Sequence, residues 1–152
     1  QLIASAETMK KAIEYLEPML SSGDETGPKV TIVIATVEGD IHDIGKNLVA
    51  MMIESAGFEV IDLGVDVPVE KFIETVKANP DVKIVGCSAL LTTTMPALKS
   101  TVEALNAEDF RSHIKVMVGG APITQEFANE IGADAYTPDA ASAAQKAKEL
   151  VA

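Results

Sequence analysis

From Lys29 onward the chain alternates between two kinds of segment, and that alternation narrows the fold to one class. Apolar, β-rich runs at 30–36, 58–63, 82–87, 114–118 and about 133–136 are separated by helical stretches near 43–56, 69–78, 95–107, 124–131 and 139–151. Runs such as Thr31-Ile32-Val33-Ile34-Ala35 and Val82-Lys83-Ile84-Val85-Gly86 are almost continuously apolar. A strand with one face in water would alternate instead, so these strands are covered on both faces, as in a parallel sheet. The pattern predicts a doubly wound α/β domain over 29–152. Its five-stranded parallel sheet is expected in the order 2-1-3-4-5, of the Rossmann and flavodoxin-like kind.

The first residues read differently. Leu2, Ala6, Met9, Ile13, Leu16 and Leu20 recur at steps of three and four, one apolar stripe of a helix over 2–20. The polar, breaker-rich stretch up to Pro28 reads as a linker. The expected division is therefore 1–22, 23–28 and 29–152. A lone helix cannot bury its own stripe, so it packs on the main domain, on a second copy or on further helices. The opening Gln1-Leu2-Ile3 lacks the regions of a signal peptide and lacks an initiator Met, which reads as a fragment or a processed product.

Composition removes several function classes. With 152 residues, 47% of them hydrophobic, the chain can bury one ordinary core. Only 23% of residues are charged, which argues against disorder. The net charge of −11 repels phosphate backbones and anionic lipids, so nucleic-acid and membrane partners are not expected. The single cysteine, Cys87, forbids an internal disulfide and suits a reducing cytoplasm.

Ligands of doubly wound sheets bind beyond the carboxyl ends of the strands. The loops there begin at Val37, Ser88, Gly119 and Tyr136. A nucleotide phosphate fits them poorly. Gly39 to Gly45-Lys46-Asn47 has one residue too many for a P-loop, puts Asn47 where a magnesium-binding hydroxyl belongs, and carries Glu38, Asp40 and Asp43. A phospho-acceptor receiver needs an Asp at the end of the third strand, where Cys87-Ser88 stands. A zinc site from Asp40, His42 and Cys87 lacks a full shell, because the other histidine, His113, sits at the opposite end of the sheet.

What remains is an imidazole two residues after a carboxylate. A neutral imidazole ligates a metal through one nitrogen while a carboxylate holds its other N–H. Asp40 and His42 would form that pair, and a hydroxyl from Ser88 or from Thr92–Thr94 would orient the carboxylate. Gly39, Gly45, Gly119 and Gly120 leave room for a bulky ligand. Such a site offers one metal ligand, which suits a metal that arrives with the others on a macrocycle.

The motifs now have a precedent. Asp40-Ile41-His42-Asp43-Ile44-Gly45 matches D-x-H-x-x-G, Ser88-Ala89-Leu90 matches S-x-L, and Gly119-Gly120 supplies a G-G pair. Jointly they resemble the cobalamin (B12)-binding domain family, and more closely the corrinoid proteins of methyltransferase systems. The resemblance implies His42 as the lower axial ligand to cobalt, replacing the cofactor's own benzimidazole, with Asp40 as its hydrogen-bond partner. Thr94 falls where many members have a Ser that completes the relay. Gly45, Ser88, Leu90, Gly119 and Gly120 resemble the walls of the slot for the displaced nucleotide tail, with Thr92, Ala121 and Tyr136 as neighbours on the rim.

The same resemblance implies a methyl carrier that alternates between methylcobalamin and a Co(I) corrinoid and is not a complete enzyme alone. Its implied partners are a substrate-specific methyltransferase, a methyl-acceptor methyltransferase and a reductive activase. The helix at 2–20 resembles the end of the preceding helical module and offers a homodimer contact. The alternative is the cobalamin-binding domain or subunit of an adenosylcobalamin-dependent mutase, which shares the motifs but lacks a preceding helical cap. Structural expectations stand beside these: Asp43 as an N-cap, Cys87 as a small buried hydrophobe and His113 as an exposed residue.

Overall fold

The computed structural model describes residues 30–151. The expected helix over 2–20, the linker and a dimer contact through that helix lie outside the described residues. Five strands and five α-helices alternate: β1 (Thr31–Val37), α1 (Ile44–Ser55), β2 (Glu59–Val67), α2 (Val69–Ala78), β3 (Val82–Ser88), α3 (Met95–Asn106), β4 (Lys115–Gly119), α4 (Gln125–Ile131), β5 (Ala135–Tyr136) and α5 (Ala140–Val151). Short 3-10 turns at Thr92–Thr94 and Asp109–His113 precede α3 and β4. All pairings are parallel, in the order β2-β1-β3-β4-β5, as the alternation predicts.

Burial follows the two-residue period of the strands. On one face Val33, Ala35, Val85, Val116 and Val118 pack with Phe72 and Val76 of α2, Leu98 and Val102 of α3 and Ile131 of α4. On the other, Ile32, Ile84 and Met117 pack with Ile53 of α1 and Ala143 and Ala147 of α5. Every residue of β1 is buried, as a central strand covered on both sides requires. Fully burying a side chain such as Phe72 contributes roughly 1.5–3 kcal/mol.

Two local features depart from the sequence expectation. β2 runs to Val67 rather than ending at 63, because its pairing with β1 slips twice. Ile34 pairs with Asp62, Ala35 with Gly64 and Val37 with Val67, so β2 carries one extra residue in each interval. Such bulges bend a strand and increase its twist. Asp43 does occupy the position before α1, but its side chain makes no capping bond. Its backbone is already near-helical (φ −120°, ψ −17°), whereas a capping side chain works from an extended backbone. Thr124 shows the contrast: extended, with its hydroxyl accepting from the Phe127 amide at 3.1 Å.

Candidate functional site

β1 ends in a tight turn in which the Asp40 amide donates to the Val37 carbonyl at 3.1 Å. Gly39, third in that turn, has φ +87°, a conformation that L side chains rarely adopt. The turn folds Asp40 back beneath the loop, where it is fully buried. Buried carboxylates need partners, and this one has four. Oδ1 accepts from the His42 ring Nδ1 at 2.7 Å and from the His42 amide at 3.1 Å. Oδ2 accepts from the Leu90 amide and from the Thr94 hydroxyl, both at 2.7 Å. Burial alone would push this carboxyl up. The Leu90 amide, the His42 ring, the Thr94 hydroxyl and the His42 amide outweigh it and hold the group well below the usual carboxylate range.

An ionised Asp40 fixes the imidazole. With the proton on Nδ1 donated to Asp40, Nε2 carries the lone pair. Nε2 has no hydrogen bond within the described residues, and the ring is 44% exposed. The loop is also held from below: the Thr36 hydroxyl donates to the His42 carbonyl at 2.9 Å and lies 3.0 Å from the Ser88 hydroxyl. Of the two sources of a carboxylate-orienting hydroxyl, Thr94 therefore serves Asp40 and Ser88 serves the Thr36 contact.

A cavity of about 150 Å³ opens beside His42 between the sheet and helices α1 and α5. Gly45, Ser88, Leu90, Gly119 and Gly120 line it, and Ile53 and Ala143 also border it. Ile34 and Gly86, on the α1/α5 face of the sheet, line it too. A Cβ on Gly45 would meet nothing within 4 Å. A Cβ on Gly120 (φ +134°) would lie 1.8 Å from the Ala89 carbonyl oxygen. Around His42 stand the exposed large hydrophobics of the described residues: Ile41, Ile44, Leu90 and Leu91. An apolar rim, one free imidazole nitrogen and a cavity beside it fit a flat macrocycle with a tail. Among the described residues no three His, Cys, Asp or Glu side chains gather as a metal shell.

Thr92, Ala121 and Tyr136 do not line the cavity. Thr92 and Ala121 are exposed, and Tyr136 packs against the core on the opposite face of the sheet. Cys87 is buried, and burial pushes its thiol up to about 12, so it is a small hydrophobe as expected. His113 is exposed. Sequence reasoning missed Lys46, Asp66, Thr137 and Asp139. Lys46 is 5% exposed, lines the cavity and gives its ammonium to Asp62 (2.6 and 2.7 Å) and to Asn47 (2.7 Å). Its position in the failed P-loop was the signal. Asp66 lies beyond the second apolar run, which ends at 63, but inside β2, so the run itself gave no sign of it.

Fold and site together are those of a domain suited to a macrocyclic metal cofactor, and the chain belongs to the B12-binding domain family, whose pattern matches residues 30–146. Cobalamin is the cofactor of that family. Among its relatives the chain is similar to dimethylamine corrinoid protein 1 of Methanosarcina acetivorans, with 46% identity over 152 residues, 99% of this chain and 70% of that protein. It is similar in structure to a cobalamin-binding protein from Desulfitobacterium hafniense, with 40% identity and a TM-score of 0.83 over 93% of this chain and 68% of that one. It is also similar to a chain of the methanol:cobalamin methyltransferase complex MtaBC from Methanosarcina barkeri, with 33% identity and a TM-score of 0.73 over 98% of this chain and 56% of that one.

Proposed function

We propose that the chain is a corrinoid methyl carrier, with His42 as the lower axial ligand to cobalt and the cofactor's nucleotide tail in the cavity beside it. The observation that carries this reading is the Asp40–His42 pair: a buried, ionised carboxylate 2.7 Å from Nδ1 of an imidazole whose Nε2 is unpartnered at an apolar rim. When bound, cobalamin supplies a cobalt that accepts and releases a methyl group. The chain's own residues set ligation and access. Asp40 holds the Nδ1 proton, Thr94 and the Leu90 amide hold Asp40, and Ile41, Ile44, Leu90 and Leu91 offer an apolar bed. Gly45, Ser88, Gly119 and Gly120 leave the tail its space, with Thr92, Ala121 and Tyr136 further out.

The partners in this reading are a substrate-specific methyltransferase and a methyl-acceptor methyltransferase, with a reductive activase, in the cytoplasm. The name of the M. acetivorans relative favours a methylamine as methyl source, and the MtaBC complex favours docking on a methyltransferase. Among the described residues no helix is long and apolar enough to cross a membrane.

Electron paramagnetic resonance of the Co(II) form after loading with hydroxocobalamin tests the ligand. Splitting from a protein nitrogen is expected and should vanish in His42→Ala. Retention of the benzimidazole on cobalt in the loaded protein would overturn the assignment. Methyl transfer from the methylated protein to a thiol acceptor, with its partner present, separates a carrier from a mutase.

A further inference from the structure

Among the described residues, Asp66 is the one non-glycine with a positive φ (+52°). It lies near the end of β2, inside the second slip of the pairing with β1, between Gly64 and Val67. From there it grips the Asp40 turn twice. Its backbone amide donates to the Asp40 carbonyl at 2.9 Å, and its Oδ1 accepts from the Gly39 amide at 2.7 Å. The two bonds fall on either side of the Asp40 Cα, so they restrain the dihedrals that aim the Asp40 carboxylate. That carboxylate in turn holds the His42 ring. Left-handed backbone is least costly for Gly, Asn and Asp, and of these Asn and Asp also offer an acceptor oxygen. The side chain is exposed, so it is not there to fill the core.

We infer that Asp66 is a positioning residue for the axial histidine: the bulged end of β2 places it over the turn, and it fixes the direction in which Asp40 presents His42. This rests on the reading of His42 as the cobalt ligand. It adds a second strand to the machinery, so the site is held by β1, the segment after β3 and the end of β2 together.

Three substitutions in the full chain separate the two properties of Asp66. Asp66→Asn keeps both left-handed tolerance and an acceptor. Asp66→Gly keeps only the backbone, and Asp66→Ala keeps neither. Each is measured unliganded, by the amide resonances of Gly39 and Leu90 and by thermal unfolding. Each is then measured loaded with hydroxocobalamin and reduced to Co(II), by the share of cobalt split by a protein nitrogen. Asp66→Asn is expected to match the parent. Asp66→Ala should lower the split share by about tenfold, the usual size of an outer-shell effect, and Asp66→Gly should fall between. In both, the Leu90 resonance should move, because its acceptor Asp40 has turned.

A purely structural role would lower the unfolding midpoint alone. A folded Asp66→Gly or Asp66→Ala with the parent's splitting and the parent's Leu90 resonance therefore overturns the inference. If Asp66→Ala does not fold, Asp66→Gly decides by the same two readouts. His42→Ala serves as control. Splitting that survives it overturns the ligand reading itself, whereas splitting lost there but kept in Asp66→Gly overturns only the role of Asp66.

Discussion

At the scale of single residues, the molecule turns on one carboxylate. Asp40 is removed from water, yet four donors hold it ionised. Its folded titration point lies below its unfolded one, near 3.8. Its contribution to stability is therefore complete above that unfolded value and is lost as pH falls through the window below it. Asp40→Asn removes the charge and should flatten the stability curve on the acid side, below about pH 4. Near neutrality it should cost about 3 kcal/mol, because the Leu90 amide, the Thr94 hydroxyl and the His42 ring lose their anion. Urea unfolding at a series of pH values reads both effects. Part of this was legible. The two-residue spacing placed Asp40 against His42, and Thr94 met Asp40 as the motif implied. The Leu90 amide was not legible, since a backbone donor fifty residues away leaves no mark on residue types.

At the scale of elements, the strands show what a linear pattern carries. β1, β3 and β4 lie within a residue or so of the apolar runs, because strands covered on both faces must be continuously apolar. The second run stops at 63 for a tertiary reason: Gly64 and Asp66 interrupt it, and only pairing with β1 shows that the strand continues through them. The G-G pair was read as an open place for a ligand. At Gly120 it is also a crossing point, where the backbone passes close to Ala89. Gly120→Ala combines an unfavourable φ with a contact of 1.8 Å to a carbonyl oxygen. It should cost more than about 3 kcal/mol, seen as a lower urea midpoint or a loss of soluble protein.

At the scale of the whole molecule, the two faces of the sheet have separate duties. Helices α2, α3 and α4 close one face around Phe72, Leu98 and Ile131. Helices α1 and α5 close the other around Ile53 and Ala147, and the cavity opens on this same side. This division separates stability from ligand capacity, and Gly45 tests it. Gly45 lies in α1 and a Cβ there meets nothing within 4 Å, so Gly45→Leu should leave unliganded stability unchanged or raise it by about 0.5 kcal/mol. Because Gly45 lines the cavity, the added side chain should occupy part of it and weaken cobalamin binding by at least about tenfold, measured by absorbance after equilibrium dialysis. Equal affinity in parent and variant would mean that the tail lies elsewhere.

The apolar rim carries a consequence of its own. Ile41 is 74% exposed, Ile44 61%, Leu90 41% and Leu91 40%, uncovered grease on an otherwise acidic chain. Large apolar side chains left uncovered near one another invite clumping. On the proposed reading the corrinoid covers these side chains, so the unloaded protein is expected to clump more readily than the loaded one, which light scattering with and without hydroxocobalamin reads.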